Sequence, residues 1–237
     1  MSRAAAEAAE VPALAALKTR ALPEQIADRI VEGIATGVFA PGERLVEQTI
    51  SDSLAVSRIP VREALRSLEA QGVVVALPRR GYRVALYDDK LFANVHAVRV
   101  SLELVAARAA TANIKADAGQ ADGLEAIVAV MAERLANDDW SGPNAIDIAF
   151  HREMCRVADN PIVQTLWEAI ARHIRIIFGL GIDVVTDPAF LYAEHRRMCD
   201  LLKTGDPAAV EEELRNHLRP ASPRSGARAR PAPDKAR

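Results

Sequence analysis

At 237 residues, half of them hydrophobic and with a formal net charge of −2, the chain can fill one large or two small packed domains and is not a uniformly basic nucleic-acid binder. Two cysteines, Cys155 and Cys199, exclude a disulfide framework. The sequence holds no early apolar run of secretory type and no unbroken apolar stretch of about 18 residues, so a cytoplasmic protein without a membrane partner is expected. Charge is unevenly spread. Residues 22–86 hold eight bases and eight acids, yet six arginines and only two glutamates fall in 58–83. Residues 88–218 hold thirteen bases and twenty-one acids, and residues 219–237 hold six and one.

In chain order, residues 1–21 are rich in Ala and Glu without a clear apolar face, and are expected to be a flexible N-terminal segment. Pro23 suits the first turn of a helix, Ile26, Ile30 and Ile34 recur on one face, and Gly37 closes it. Pro41-Gly42 is a turn, and a second helix is expected over 47–54. The stretch Val56 to Leu68 then reads as a third helix. Ser57 is its expected N-cap and Pro60 falls in its first turn. Val61, Ala64, Leu65 and Leu68 share an apolar face, and Arg58, Arg62 and Arg66 form a separate stripe. Such a helix suits the major groove of DNA; a solvated arginine face, diluted by Glu63 and Glu69, is the other reading. Gly72, the run Val73-Val74-Val75, the turn Pro78-Arg79-Arg80-Gly81 and Tyr82-Arg83-Val84 predict a β-hairpin with a basic tip. Three helices and a basic hairpin make a winged helix-turn-helix over 22–86.

From residue 87 the pattern is helical throughout. Helices are expected at about 89–113, 119–137, 143–157, 161–180, 187–204 and 207–219, separated by turn signals such as Asn160-Pro161 and Gly205-Asp206-Pro207. Helices of this length pack as an antiparallel bundle, so the fold class is mainly α: a winged helix joined to an all-α bundle over 87–219. The tail 220–237, rich in Pro, Ala, Ser and Arg, is expected to be disordered and basic.

Asp147 and His151 lie at i, i+4 and project from one helix face. His195 and His217 each stand eleven residues from Asp206, the centre of the last turn, so an antiparallel helix pair brings them level. If the Asp147 helix packs alongside, one carboxylate and three imidazoles converge, a ligand set suited to a divalent transition metal. Taken singly, each histidine reads more readily as a solvated or satisfied structural residue than as a ligand, and it is the level geometry across the turn that brings the ligand reading even with it. Zn²⁺ is the expected ion, with Ni²⁺ or Mn²⁺ as alternatives. Cys155, at i+4 from His151, is either close to the metal or a small buried hydrophobe. Arg99 either grips an effector carboxylate through its guanidinium fork or pairs with Glu103 at i+4.

The motifs Pro41-Gly42-Glu43-Arg44-Leu45, Val56 to Leu65, Leu68-Glu69, Gly72 and Pro78 to Val84 resemble the winged helix of GntR-family transcriptional regulators. Ile59, where relatives often carry Thr, and Ile50-Ser51, where a Leu-Ala pair is common, depart from that pattern. Arg99 with Leu102-Glu103, Asp147-x-x-Phe150-His151, Asn160, Glu194-His195, Gly205-Asp206 and His217 resemble the FCD effector domain of the FadR-like subfamily. That resemblance implies that residues 87–219 bind effector and metal and dimerise, puts a metal on Asp147, His151, His195 and His217, and turns Arg99 towards an effector carboxylate.

The function implied is that of a DNA-binding regulator, most often a repressor. It would bind a palindromic operator as a homodimer and respond to a small carboxylate metabolite. Ser57, Arg58, Ile59, Pro60, Arg62 and Arg66 form the expected reading surface, with Gln48 on the preceding helix and Arg79, Arg80 and Gly81 at the wing tip. Alternatives are a regulator with the metal itself as effector and, further off, a metal-dependent hydrolase. No HExxH-type general base accompanies the histidines, so no catalytic residue is assigned.

Overall fold

The computed structural model describes residues 21–78, 81–139, 143–182 and 187–219. The expectations for residues 1–20, for Arg79 and Arg80, and for the tail 220–237 lie outside the described residues.

The first unit begins with α1 (Leu22–Ala35), which has Pro23 in its first turn and buries Ile26, Ile30 and Ile34. Gly37, at φ 80°, takes the left-handed turn that ends it. A two-residue strand, β1 (Arg44–Leu45), precedes α2 (Glu47–Leu54). Between α2 and α3 (Arg58–Ala70) the chain reverses through Ala55, at φ 52°, and the Ser51 hydroxyl donates to the Val56 carbonyl at 2.6 Å. Ser57 is the N-cap of α3 by backbone conformation, but its side chain accepts no capping bond. The expected cap hydroxyl is thus exposed at the helix start. Strands β2 (Val74–Leu77) and β3 (Gly81–Val84) form the wing. The sheet order is β1-β3-β2, all antiparallel, with Val75 and Arg44 both opposite Arg83. Strand β1 was not expected, because two residues carry no alternation to read.

The second unit comprises α4 (Asp89–Ala116), a 3-10 turn (Ala118–Ala121), α5 (Asp122–Ala136), α6 (Pro143–Val157), α7 (Pro161–Gly179), α8 (Pro188–Thr204) and α9 (Pro207–His217). Asp88, Asn160, Asp187 and Asp206 cap α4, α7, α8 and α9 by accepting from first-turn backbone N–H groups. Proline follows the last three caps, where its missing N–H costs nothing. No helix among the described residues is long and apolar enough to cross a membrane.

Two bundle cores lie on either side of α4 and α6: Leu124, Val128, Met131, Phe150, Met154, Met198, Leu202 and Leu214 in one, and Leu102, Ile148, Cys155, Val163, Trp167 and Ile174 in the other. The winged-helix core contains Ile30, Ile34, Leu45, Val61, Leu65, Leu68, Val74 and Val84, and also Ile176 from α7. Helix α7 therefore belongs to both units. Its Gly179 passes so close to α1 that an added Cβ would stand 2.3 Å from the Ala35 carbonyl oxygen.

Candidate metal centre and DNA-reading surface

Helix α3 turns Val61, Ala64, Leu65 and Leu68 inward, each fully buried, and leaves Arg58, Ile59, Arg62 and Arg66 exposed. The arginine side of the helix thus faces water as the spacing predicts. Arg62 does not stand alone. Its Nη2 donates to Glu47 Oε2 at 2.8 Å and its Nε lies 3.1 Å from the same carboxylate, which ties α3 to the start of α2. That bond, with the charges of Arg58 and Arg66 adding to it, holds the Glu47 carboxyl below its ordinary pKa. Gln48 donates to Asp52 at 2.7 Å on the exposed face of α2. Gly81, at φ 83°, opens β3 at the wing tip, where a side chain would be strained.

In the bundle, α6, α8 and α9 bring the four expected ligands together. One donor atom from each of Asp147, His151, His195 and His217 lies within 4.8 Å of the others. Asp147 Oδ1 is 3.3 Å from His195 Nε2, 3.7 Å from His151 Nε2 and 4.0 Å from His217 Nε2. His151 Nε2 and His217 Nε2 are 3.0 Å apart. The level placement of His195 and His217 across the α8–α9 turn appears as ring centroids 4.7 Å apart.

The outer nitrogens decide what the inner ones can do. His195 Nδ1 donates to the Leu191 carbonyl at 2.8 Å, and a carbonyl can only accept. His217 Nδ1 lies 3.2 Å from Glu194 Oε2. His151 Nδ1 faces Glu103 Oε2 at 2.6 Å as a charge contact without an aligned hydrogen bond. With its remaining proton on the outer nitrogen, the form in which imidazole binds a metal, each ring would present its Nε2 lone pair to the centre. Three such lone pairs and a carboxylate oxygen in one buried space suit a cation: without an ion a proton on His151 supplies the positive charge, and a divalent metal can take its place. His195 Nε2 and Asp147 Oδ2 are both buried without a hydrogen-bond partner among the described residues. The charge balance agrees. Glu103 and Asp147 are buried carboxylates, and Arg99 is the guanidinium beside them: its Nε donates to Glu103 Oε1 at 2.7 Å and its Nη2 lies 3.6 Å from Asp147 Oδ2. Burial alone would raise Glu103, but His151 and Arg99 outweigh it and hold it down at about 2. Burial likewise favours neutral His151, but the Glu103 and Asp147 carboxylates push it up to about 9. Burial, and then the His151 and His195 charges, hold His217 well below its usual value. The centre asks for positive charge and has nitrogen donors ready for it, so the four residues fit a divalent ion.

Arg99 forms the i, i+4 pair with Glu103, so this reading of the residue is the one the geometry displays. Cys155 lies in the α6–α7 core with Ile148 and Trp167, as a small buried hydrophobe, and burial pushes its thiol well up. Glu103 and Glu194 were not picked out as partners of the imidazoles. Their proximity in sequence to Arg99 and His195 was the available signal.

A second, partly buried constellation joins the two units. His173 Nε2 donates to the Gln71 carbonyl at 2.8 Å, and the Tyr87 hydroxyl lies 3.0 Å from His173 Nδ1. Arg172 Nη1 donates to Gln71 Oε1 at 2.8 Å, and Nη2 to Asp28 Oδ1 at 3.2 Å. Gln71 is the C-cap of α3, so α7 grips the end of the arginine helix. On the same helix, the Trp167 ring lies 6.0 Å from that of His151.

The chain matches the family model "Bacterial regulatory proteins, gntR family" over residues 22–84 and the "FCD domain" model over 94–220. It is 32% identical over 196 residues to a protein of Paenarthrobacter nicotinovorans named as a probable D-xylose utilization operon transcriptional repressor, covering 82% of this chain and 84% of that one. It is 27% identical to the HTH-type transcriptional repressor RspR of Escherichia coli (strain K12), covering 86% and 89%. The solved structure of E. coli McbR/YncC shares the fold, with a TM-score of 0.66 at 19% identity, covering 84% of this chain and 94% of that one. These families are regulators rather than enzymes, and the shared fold, the two family matches and the relatives agree: the chain belongs to the GntR family of bacterial transcriptional regulators and carries an FCD domain.

Proposed function

We propose that this protein is a homodimeric repressor whose operator affinity is set by a small carboxylate metabolite, bound in the bundle at a divalent metal held by Asp147, His151, His195 and His217. The observation that carries the reading is the convergence of three imidazoles, two of them hydrogen-bonded through their outer nitrogens, on one buried carboxylate, in a bundle attached to a winged helix. Zn²⁺ suits the nitrogen-rich set best, with Ni²⁺ and Mn²⁺ as competitors. Four protein ligands leave positions on a five- or six-coordinate ion for an effector carboxylate, and Arg99, beside Asp147, is its second anchor. A reading with the metal alone as effector draws on the same contact, because an ion on Asp147 acts directly on Arg99.

On the DNA side, Ser57, Arg58, Ile59, Pro60, Arg62 and Arg66 meet the major groove, Gln48 supports them from α2, and the wing tip at Arg79, Arg80 and Gly81 meets the adjacent backbone. The proposed dimer face is the outer side of the packed helices α4 and α7, where Val98, Val105, Ile162 and Leu166 are each half exposed or more. Helix α7 is the proposed link between metal and DNA, because it touches His151 through Trp167 and Gln71 through His173.

The test is a thermal-shift screen of small carboxylic acids on metal-free and Zn²⁺-loaded protein, followed by operator binding with each hit. A metabolite that stabilises only the loaded protein and weakens operator binding supports the reading. Operator affinity that follows Zn²⁺ with no organic ligand turns it to the metal sensor. Indifference to both overturns it.

A further inference from the structure

Ile59 is the departure from the family pattern within the reading surface, and it is 70% exposed. In the first turn of α3 it lies, at ~100° per residue, roughly opposite the middle of the buried stripe Val61, Ala64, Leu65 and Leu68. The helix can turn that side to a duplex without disturbing its own core. Arg62, Glu63 and Arg66 share that exposed side. Arg62 is paired with Glu47 at 2.8 Å, so Ile59 has an already engaged arginine as its neighbour on that side.

A branched hydrocarbon in this place has few possible partners. It can neither donate to phosphate or base-edge acceptors nor accept from base-edge amines. In the major groove, the thymine 5-methyl group is the apolar feature that distinguishes one base pair from another. An isoleucine pressed against a base edge without that methyl would desolvate polar atoms and return nothing. Pressed against the methyl, it buries apolar surface on both sides. We infer that Ile59 is a specificity residue that selects a thymine, through its 5-methyl group, in each operator half-site. The inference rests on α3 being the DNA-reading helix.

The experiment separates the two. Full-length protein selects duplexes from a random-sequence pool, and the recovered sequence is resynthesised with single thymine-to-uracil replacements, each removing one methyl group and nothing else. For the wild-type chain, one replacement per half-site is expected to weaken binding about fourfold, the equivalent of about 0.8 kcal/mol for one buried carbon. Ile59→Val should keep that sensitivity. Ile59→Ser, at an exposed position that does not burden the fold, should lose it while retaining the salt dependence of phosphate contacts. A recovered sequence without such a thymine, or the same uracil penalty in Ile59→Ser, overturns the Ile59 assignment and leaves the reading helix standing. Recovery of no duplex overturns the reading helix and the assignment with it.

Discussion

The Nε2–H of His173, on α7, donates to the main-chain carbonyl of Gln71, the residue that ends α3, at 2.8 Å. Because a carbonyl only accepts, this bond sets the tautomer, and the Tyr87 hydroxyl then donates to the free Nδ1 at 3.0 Å. One imidazole thus ties together the end of α3, the segment leading from wing to bundle, and α7.

Burial lowers the His173 pKa below the ordinary 6.5. The unfolded chain therefore binds a proton more readily than the folded one. The contribution of this residue to stability is complete above about pH 6.5 and is lost as pH falls from there towards the folded value. His173→Gln keeps a donor for Gln71 but cannot titrate. The difference in urea-unfolding free energy between wild type and this variant should narrow as pH drops from 8 to 5. A constant difference would rule out His173 as the titrating group.

Gly179 is required by contact rather than by conformation. An added Cβ would meet the Ala35 carbonyl oxygen at 2.3 Å and the Ala35 Cα at 2.7 Å, both backbone atoms on α1. Gly179→Ala should cost about 1–3 kcal/mol through forced separation of α1 and α7. Gly33→Ala, which meets side-chain atoms alone, the Phe39 ring at 2.9 Å and Val38 Cβ at 3.8 Å, should cost less because a side chain can shift where backbone cannot. Chemical denaturation of the two variants makes the comparison.

Zn²⁺ at a hundred times its dissociation constant should stabilise the wild-type chain by about 2.7 kcal/mol, read as a rise in melting temperature. Asp147→Asn and His195→Ala should lose most of that rise and hold less metal by elemental analysis after removal of loosely bound ions. Glu103→Gln leaves the four ligands intact but removes the carboxylate facing His151 Nδ1. It should weaken metal binding by about tenfold or more without abolishing it. Equal metal content in the wild type and in Asp147→Asn would overturn the site.

Arg58→Ala and Arg62→Ala should each weaken operator binding. A variant that removes a phosphate contact should lower the slope of log affinity against log salt by about one, while one that removes a base contact should relax sequence preference instead. Arg62 is held by Glu47 in the free protein, so Glu47→Gln should bind all duplexes more tightly and discriminate among them less. Arginine variants with wild-type affinity and slope would move the reading surface away from α3.

Local patterns determined much of this molecule. The i, i+4, i+8 isoleucines of α1, the split faces of α3 and the Asn/Asp-Pro starts of α7, α8 and α9 carry their element in a few adjacent residues, because helix periodicity and capping act over one or two turns. The convergence of Asp147, His151, His195 and His217 was legible for a related reason. Asp147 and His151 share a helix face, and a tight turn makes the heights of His195 and His217 a matter of counting. Tertiary structure alone decided the rest. Strand β1 exists only because β3 lies beside Arg44 and Leu45. Glu103 and Glu194 became partners of the imidazoles through the packing of α4 and α8, and Glu47 became the partner of Arg62 across fifteen residues. The grip of His173 and Arg172 on Gln71 spans about a hundred positions and left no trace in local spacing. A pattern of side chains specifies which face of a helix is buried. Which distant residue it is buried against is settled only when the helices pack.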